Sequence, residues 1–180
     1  MDEIPLPQII LNAKNAYEAE EFEQAAQWYE RASVQYAAQN DPLSAAEMTN
    51  NLSVSLLRAG NAQNAFSISK GTEVIFAQAG DTRRQAMALG NQAAALESMN
   101  KSDDAIQYYQ QSNDLLKQVN DPALRTYILQ SLSGLYLRRM RYLDALVVME
   151  AALEIKEHLS FREKILQKLL QVVSRLLGRS

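Results

Sequence analysis

Apolar side chains recur along this chain at spacings of three and four residues, in blocks that repeat every forty residues. The same order of apolar and polar positions appears in Leu11–Trp28, Asn51–Ile68, Asn91–Tyr108 and Ser131–Val148. Spacings of three and four place apolar residues on one face of a helix. A fixed period of about 20–50 residues is typical of a solenoid of stacked helical units. The pattern therefore predicts an all-α solenoid built from helix pairs.

Three columns of small residues appear when the four stretches are aligned. The first column is Ala25, Ala65, Ala105 and Ala145; the second is Ala13, Ser53, Ala93 and Ser133; the third is Ala32, Thr72, Ser112 and Ala152. Small side chains let two antiparallel helices approach to the short end of the roughly 8–10 Å range of interaxial distances. We therefore expect tightly packed pairs.

Turn signals divide the chain at regular points. Asn40-Asp41-Pro42 and Asn120-Asp121-Pro122 each place a capping Asp before a first-turn Pro, and Gly80-Asp81 marks the middle join. Gly80 can take the left-handed conformation that ends a helix. We predict a single array with repeats at about 6–40, 41–80, 81–120 and 121–158.

The segment after the fourth repeat differs from the repeats. Ser160 and Glu163 have the spacing of a capping box, and an apolar stripe runs from Ile165 to Leu177. We predict a capping helix at about 160–177 that covers the last pair, because solenoids need such caps for solubility. The alternative is that the stripe docks on a partner or on a membrane surface.

Composition and charge narrow the classes of function. Cysteine is absent, which excludes disulfides and thiolate metal sites and fits a reducing compartment. Residues 1–50 carry nine acidic and two basic side chains, whereas residues 159–180 carry five basic and one acidic. The N-terminus lacks the pattern of a secretory signal, and no stretch is long and apolar enough to span a bilayer. We expect a cytoplasmic protein with no membrane partner.

Catalytic chemistry has little support in the sequence. His158 is the only histidine, and the glycines are too scattered for a phosphate-binding loop. The basic run from Arg138 to Arg141 is short and stands in an acidic chain, which disfavours nucleic-acid binding. We therefore expect no enzymatic activity, no cofactor, no metal and no nucleic-acid partner.

The small columns resemble those of tetratricopeptide (TPR) repeats over about residues 8–158, together with aromatic residues at Tyr17, Trp28, Tyr29, Tyr109 and Tyr136. The usual unit has about 34 residues. The forty-residue unit is similar to that of the spindle-orientation scaffold LGN and, less closely, of the kinesin light chains. The resemblance implies a right-handed superhelix whose first helices line a concave, peptide-binding groove. It also implies that Asn91, and Asn51 in the same column, hydrogen-bond the backbone of the ligand.

Helical spacing places a strip of polar, apolar and small residues on the first-helix face. The candidate groove residues are Asn50, Asn51, Val54, Arg58, Met87, Asn91, Ala94, Tyr127, Gln130 and Arg138. Such a strip suits a peptide, because amides satisfy its backbone and apolar positions hold its side chains. Arg58 and Arg138 share one column and favour an acidic or carboxylate-bearing ligand. The alternative is that Asn51 and Asn91 only bond neighbouring helices and that both arginines are solvated.

Two classes of function remain after these exclusions. The first is a non-catalytic adaptor or scaffold that captures a peptide segment of a protein partner in the groove. The second is a structural assembly protein, a monomer or weak homo-oligomer that self-associates through its terminal surfaces, since opposite charge at the two ends can steer head-to-tail contacts. Charge reversal at Lys164, Lys168 and Arg175 would change molecular size only in the second class.

Overall fold

The computed structural model describes residues 4–156 and 158–176, without the side chains of positions 174 and 176. This part of the chain contains ten α-helices and no strand: α1 Leu6–Glu18, α2 Phe22–Ala38, α3 Pro42–Arg58, α4 Ala62–Ser69, α5 Thr72–Gln78, α6 Thr82–Ser98, α7 Ser102–Gln118, α8 Pro122–Arg138, α9 Tyr142–Ile155 and α10 Phe161–Leu176. Five helices, α2, α3, α6, α7 and α8, have the same length of 17 residues. The helices therefore follow the forty-residue period of the sequence.

The backbone turns at every twentieth residue from position 20 to position 140. The φ angle is positive at each of these positions: Glu20 60°, Asn40 59°, Gly60 84°, Gly80 71°, Asn100 60°, Asn120 50° and Met140 57°. The next amide N–H donates to the carbonyl five residues before it, over distances from 2.8 Å at Glu21 to 3.3 Å at Asp121. These bonds satisfy the carbonyls left unpaired where a helix ends. The left-handed conformation predicted for Gly80 is thus confirmed.

Aspartate residues cap the first helices of the last three repeats. Asp41, Asp81 and Asp121 accept hydrogen bonds from backbone N–H groups three residues on, at 3.0, 2.9 and 3.0 Å. The backbone bond from Ser44 is the largest cause that lowers the pKa of Asp41 below its usual value. The predicted capping role of all three residues is confirmed, and it explains why α3, α6 and α8 begin at the same phase of the repeat.

The small columns lie inside the helix packing. Ala25, Ala65, Ala105 and Ala145 are all fully buried, and the column that begins at Ala13 is also buried. The hydroxyl of Ser53 donates to the carbonyl of Ala65 at 3.0 Å, and Ser133 makes the same bond to Ala145 at 3.1 Å. The two columns therefore meet inside repeats two and four, as close packing requires.

The described residues form two compact units, one up to Tyr108 and one from Tyr109 onward. In the first unit α1 packs on α2, α2 packs on α3, and α3 contacts α4, α5 and α6. One apolar cluster of this unit includes Ile9, Tyr29 and Leu52. In the second unit α8 packs on α9, and α9 on α10. The single continuous array stays a prediction.

The second helix of repeat two is interrupted, which the sequence analysis did not predict. Lys70 is extended, with φ −61° and ψ 123°, and Gly71 has φ 98°. The equivalent helix of repeat one, α2, runs without a break for 17 residues. Four pairs and a cap would give nine helices, so this interruption accounts for the tenth in the described part of the chain.

The capping box at the start of α10 is confirmed. The Ser160 N–H donates to Glu163 Oε2 at 2.9 Å, and the Glu163 N–H donates to Ser160 Oγ at 3.3 Å. Lys156 Nζ reaches Glu163 Oε1 at 2.6 Å and joins this helix start to the end of α9. Leu170 is buried, whereas Ile165 and Leu169 are exposed. The helix therefore packs on α9 but leaves most of its predicted stripe uncovered.

Candidate functional site

Seven of the ten candidate residues lie on two helices of the first unit that contact each other, and six of the seven share one surface. Helix α3 carries Asn51, Val54 and Arg58, and α6 carries Met87, Asn91 and Ala94. Spacings of three, four and seven residues place each trio on one side of its helix. Arg58 is exposed and the other five are half-buried. We name this surface the α3–α6 face.

Asn51 and Asn91 occupy the same position of successive first helices. Both side chains are half-buried, and neither amide hydrogen-bonds another residue in the ranges 4–156 and 158–176. An amide of this kind offers two N–H donors and an acceptor oxygen. Each can therefore satisfy the N–H or the carbonyl of an added peptide backbone.

Arg58 is held by stacking rather than by an ion pair. Its guanidinium carbon lies 4.8 Å from the centre of the Phe22 ring. A cation this close to the centre of an aromatic ring is attracted by the negative charge of the ring face. Arg58 forms no ion pair among the described residues, so its N–H groups can meet a carboxylate of a ligand. The end of α3 thus presents a cation to a ligand.

An ion pair joins the two helices at the opposite end of the face. Arg84 Nη1 lies 3.4 Å from Glu47 Oε2, and Arg84 Nε lies 3.2 Å from the capping residue Asp81. A pair this exposed contributes little to stability. It does give the α3–α6 face an acidic group at one end and the Arg58 cation at the other.

Asn50 does not belong to the α3–α6 face. Its side chain is buried, and its Oδ1 accepts a hydrogen bond from Thr72 Oγ1 at 3.0 Å. This contact links α3 to α5 within repeat two. We leave Asn50 out of the site because its amide is already used inside the packing.

The remaining three candidates lie on α8 in the second unit. Tyr127 is 62% exposed, and Gln130 and Arg138 are also exposed. A Cβ atom on Gly134 would lie 3.4 Å from Arg138 Nη1, so this arginine folds back over its own helix. The structure therefore gathers Tyr127, Gln130 and Arg138 on one helix of the second unit.

Polar side chains surround the break between α4 and α5, and the sequence analysis missed this cluster. Gln92 Nε2 donates to the carbonyl of Ser69 at 2.8 Å and to Glu73 Oε2 at 2.7 Å. Glu73 Oε2 also accepts from the Gly71 N–H at 2.9 Å. Gln92 is fully buried, and its Oε1 has no partner in the described part of the chain. The only local signal for the break was a glycine within a helical pattern.

A cavity of about 680 Å³ adjoins the break. Its lining is largely apolar and comes from the end of α2, the first half of α3 and the break itself: Ala37, Asn40, Pro42, Ala45, Ala46, Thr49, Ile68, Lys70, Gly71, Thr72 and Ile75. Continuous helices such as α2 have no equivalent of Gly71. The interruption therefore shapes a concave surface that the repeat pattern alone does not predict.

Residues that could bind a metal are not gathered in the described structure. No group of three or more His, Asp or Glu side chains could hold an ion within residues 4–156 and 158–176. His158 is exposed between α9 and α10. None of the helices in the part described is both long and apolar enough to cross a bilayer.

Comparison with known proteins places the chain among repeat proteins. Residues 8–161 match the model of the family described as soluble NSF attachment protein, SNAP. No curated protein sequence matches the chain significantly.

Two solved structures illustrate the shared fold. BtubC (BKLC) from P. vanneervenii has a TM-score of 0.74 and 20% identity, over 97% of this chain and 73% of that one. A Podosopora anserina protein described as a kinesin light chain with nearly identical TPR-like repeats has a TM-score of 0.73 and 14% identity, over 97% and 92% of the two chains. The predicted TPR resemblance and the all-α solenoid fold class are thereby confirmed.

Proposed function

Because the chain belongs to the soluble NSF attachment protein family and has a TPR-like fold, which in general serves protein interaction, we propose that it is a non-catalytic adaptor. In this proposal the α3–α6 face binds a peptide segment of a protein partner in the cytoplasm. The observation that carries the proposal is the pair of half-buried, unbonded amides of Asn51 and Asn91 beside the stacked Arg58 cation.

The two amides supply the contacts to the peptide backbone. A bound segment that lies across α3 and α6 exchanges hydrogen bonds with Asn51 and then with Asn91. Val54 and Ala94 lie one helical turn further along, where their small side chains leave room for those of the peptide. Met87 adds a flexible apolar surface that adapts to different shapes. This combination gives affinity through the backbone with moderate selectivity for side chains.

Arg58 supplies the preference for acidic segments. Its contact with the Phe22 ring favours one position of the guanidinium, and its N–H groups can pair with a carboxylate of the peptide. We therefore expect an acidic residue or a C-terminal carboxylate at the Arg58 end of the bound peptide.

A displayed library of random peptides tests the proposal without knowledge of the partner. Peptides selected on the full chain are synthesised, and their affinities are measured by calorimetry for the wild type and for Asn51→Ala/Arg58→Ala/Asn91→Ala. The matched control is Asn64→Ala/Lys101→Ala/Gln107→Ala, which also removes two amides and one cation, from exposed positions on α4, on α7 and in the turn before α7.

We expect the triple variant of the face to bind at least about tenfold more weakly, since each lost hydrogen bond is worth about 1 kcal/mol and one to a charged group more. The control variant should bind as the wild type does, and the selected peptides should be rich in Asp and Glu. If the selected peptides bind the triple variant of the face as tightly as the control variant, and both variants have the circular dichroism of the wild type, the α3–α6 face is excluded as the site.

A further inference from the structure

Helix α10 has one packed side and one bare apolar side. Leu170 is buried, while Glu163 and Gln167 on the same side are half-buried. The neighbouring sector, at about 100° per residue, carries the exposed cation Arg162 and six apolar residues that are 37–79% exposed: Phe161, Ile165, Leu166, Leu169, Val172 and Val173. A surface this apolar on a helix end is unusual for one that faces only water.

A row of cations borders the bare apolar side. Lys164, Lys168 and Arg175 are spaced by four and seven residues, which puts them on one edge of α10, and all three are exposed. The only acid of this helix, Glu163, is already bonded to Lys156 and Ser160. The row is therefore not neutralised from within its own helix.

A cavity of about 460 Å³ lies where the cation row meets the apolar side. Its lining combines three lysines with apolar side chains: Lys156, Leu159, Phe161, Lys164, Ile165, Gln167 and Lys168. Lys156 is already bonded to Glu163, which leaves Lys164 and Lys168 beside the apolar lining, a combination that matches a phosphate group joined to hydrocarbon. The cavity gives this end of α10 a concave place for such a headgroup.

We propose that α10 is a peripheral anchor that lies on an anionic phospholipid surface. The apolar side enters the boundary between headgroups and acyl chains, and the lysines extend their stems to place their charges over the phosphates. This proposal does not depend on peptide binding by the α3–α6 face. It takes up the membrane-surface alternative that the sequence leaves open for the apolar stripe, and it departs from the expectation of no membrane partner.

A second copy of the chain fits this surface less well than a lipid surface does. The acidic side chains described among residues 1–50 are spread over α1, α2, α3 and their turns, and Asp41 and Glu47 are already bonded. They form no single row opposite the cations of α10. A lipid surface, in contrast, offers a continuous plane of negative charge directly above an apolar layer.

Vesicle sedimentation with the full chain tests the anchor. The probes are vesicles of phosphatidylcholine alone and vesicles with roughly a third phosphatidylserine, each at low and at high salt. One variant, Lys164→Glu/Lys168→Glu, reverses the cation row, and another, Leu169→Gln/Val172→Gln, removes apolar contact. The control Lys101→Glu/Lys117→Glu makes the same charge change at two exposed positions outside α10.

The wild type should sediment with the anionic vesicles, bind them more weakly at high salt, and not bind vesicles of pure phosphatidylcholine. Both α10 variants should bind at least about tenfold more weakly, and the control should bind nearly as the wild type does. If the charge reversal unfolds the chain, as judged by circular dichroism, Lys164→Gln/Lys168→Gln replaces it. A wild type that does not bind, or binding that survives either α10 change, overturns the proposal. The proposal is also overturned if the wild type self-associates but does not bind vesicles, and if Leu169→Gln/Val172→Gln abolishes that self-association. In that case α10 would pack against a second copy of the chain.

Discussion

Gly71 separates α4 from α5 in a conformation that residues with a Cβ atom rarely adopt, with φ 98°. An added Cβ would meet no atom within 4 Å, so Gly71→Ala introduces backbone strain without a steric clash. The left-handed region costs an L-residue about 1–2 kcal/mol. Alanine also lowers the conformational entropy of the unfolded chain, which stabilises the folded state by about 0.4–1 kcal/mol. We therefore expect Gly71→Ala to lower the free energy of unfolding by about 1 kcal/mol.

Gly134 provides the same substitution with the opposite expected sign. It lies inside α8, where a Cβ would lie 3.4 Å from Arg138 Nη1, the end of a flexible and exposed side chain. Alanine is favoured over glycine in a helix interior, so Gly134→Ala should raise the free energy of unfolding by about 0.5–1 kcal/mol. The two variants share their chemistry and differ only in backbone conformation.

Urea unfolding, followed by far-UV circular dichroism, measures both changes. We expect the two alanine variants to differ by roughly 2 kcal/mol, with the wild type between them. If Gly71→Ala stabilises the chain as much as Gly134→Ala does, the second helix of repeat two is continuous, like α2. That result would refute the break and the cavity beside it.

Two further predictions concern packing and charge. Ala105→Leu adds bulk at a fully buried position and should lower the free energy of unfolding, followed in a thermal melt, by about 1–3 kcal/mol. Ala77→Leu, at an exposed site, should leave it nearly unchanged. Equal melting temperatures for the two variants would count against close packing of the small columns. The hydrogen bond from Lys156 and those from Ser160 lower the pKa of Glu163 from 4.5 to about 2. They therefore stabilise the native state fully above the usual carboxyl range, and this stabilisation is lost as the pH falls toward 2. The difference in unfolding free energy between the wild type and Glu163→Gln should therefore stay constant above about pH 5 and vanish toward pH 2, and a difference that persists at pH 2 would exclude the charge as its cause.

Features that depend on local chemistry, and that recur every forty residues, could be predicted from the sequence. Asp81 indicates a helix start through its carboxylate, Gly80 indicates a helix end because it lacks a Cβ atom, and the structure places both as expected. Ala105 stands in a column of four alanines, and its full burial follows from that agreement. Four independent copies of one signal leave little room for a different periodicity.

Features that depend on distant contacts could not be predicted. Gly71 alone does not break a helix, since an isolated glycine in a helix costs only about 1 kcal/mol. The break is held by Gln92, whose bond to the Ser69 carbonyl spans 23 residues. Helical spacing predicts that Asn50 lies in the groove. The bond from Thr72 that holds its side chain inside the packing joins residues 22 positions apart and has no sequence signature. In α10 the apolar stripe was readable, but how much of it α9 covers depends on tertiary packing.

The left-handed residue at every twentieth position affects how the number of repeats in such a chain can change. A segment of forty codons begins and ends at the same point of the backbone path, because Asn40, Gly80 and Asn120 hold nearly the same φ. Duplication or loss of one such segment by recombination joins a helix end to the helix start that it already fits. The length of the chain can therefore change in whole repeats without a new loop having to evolve.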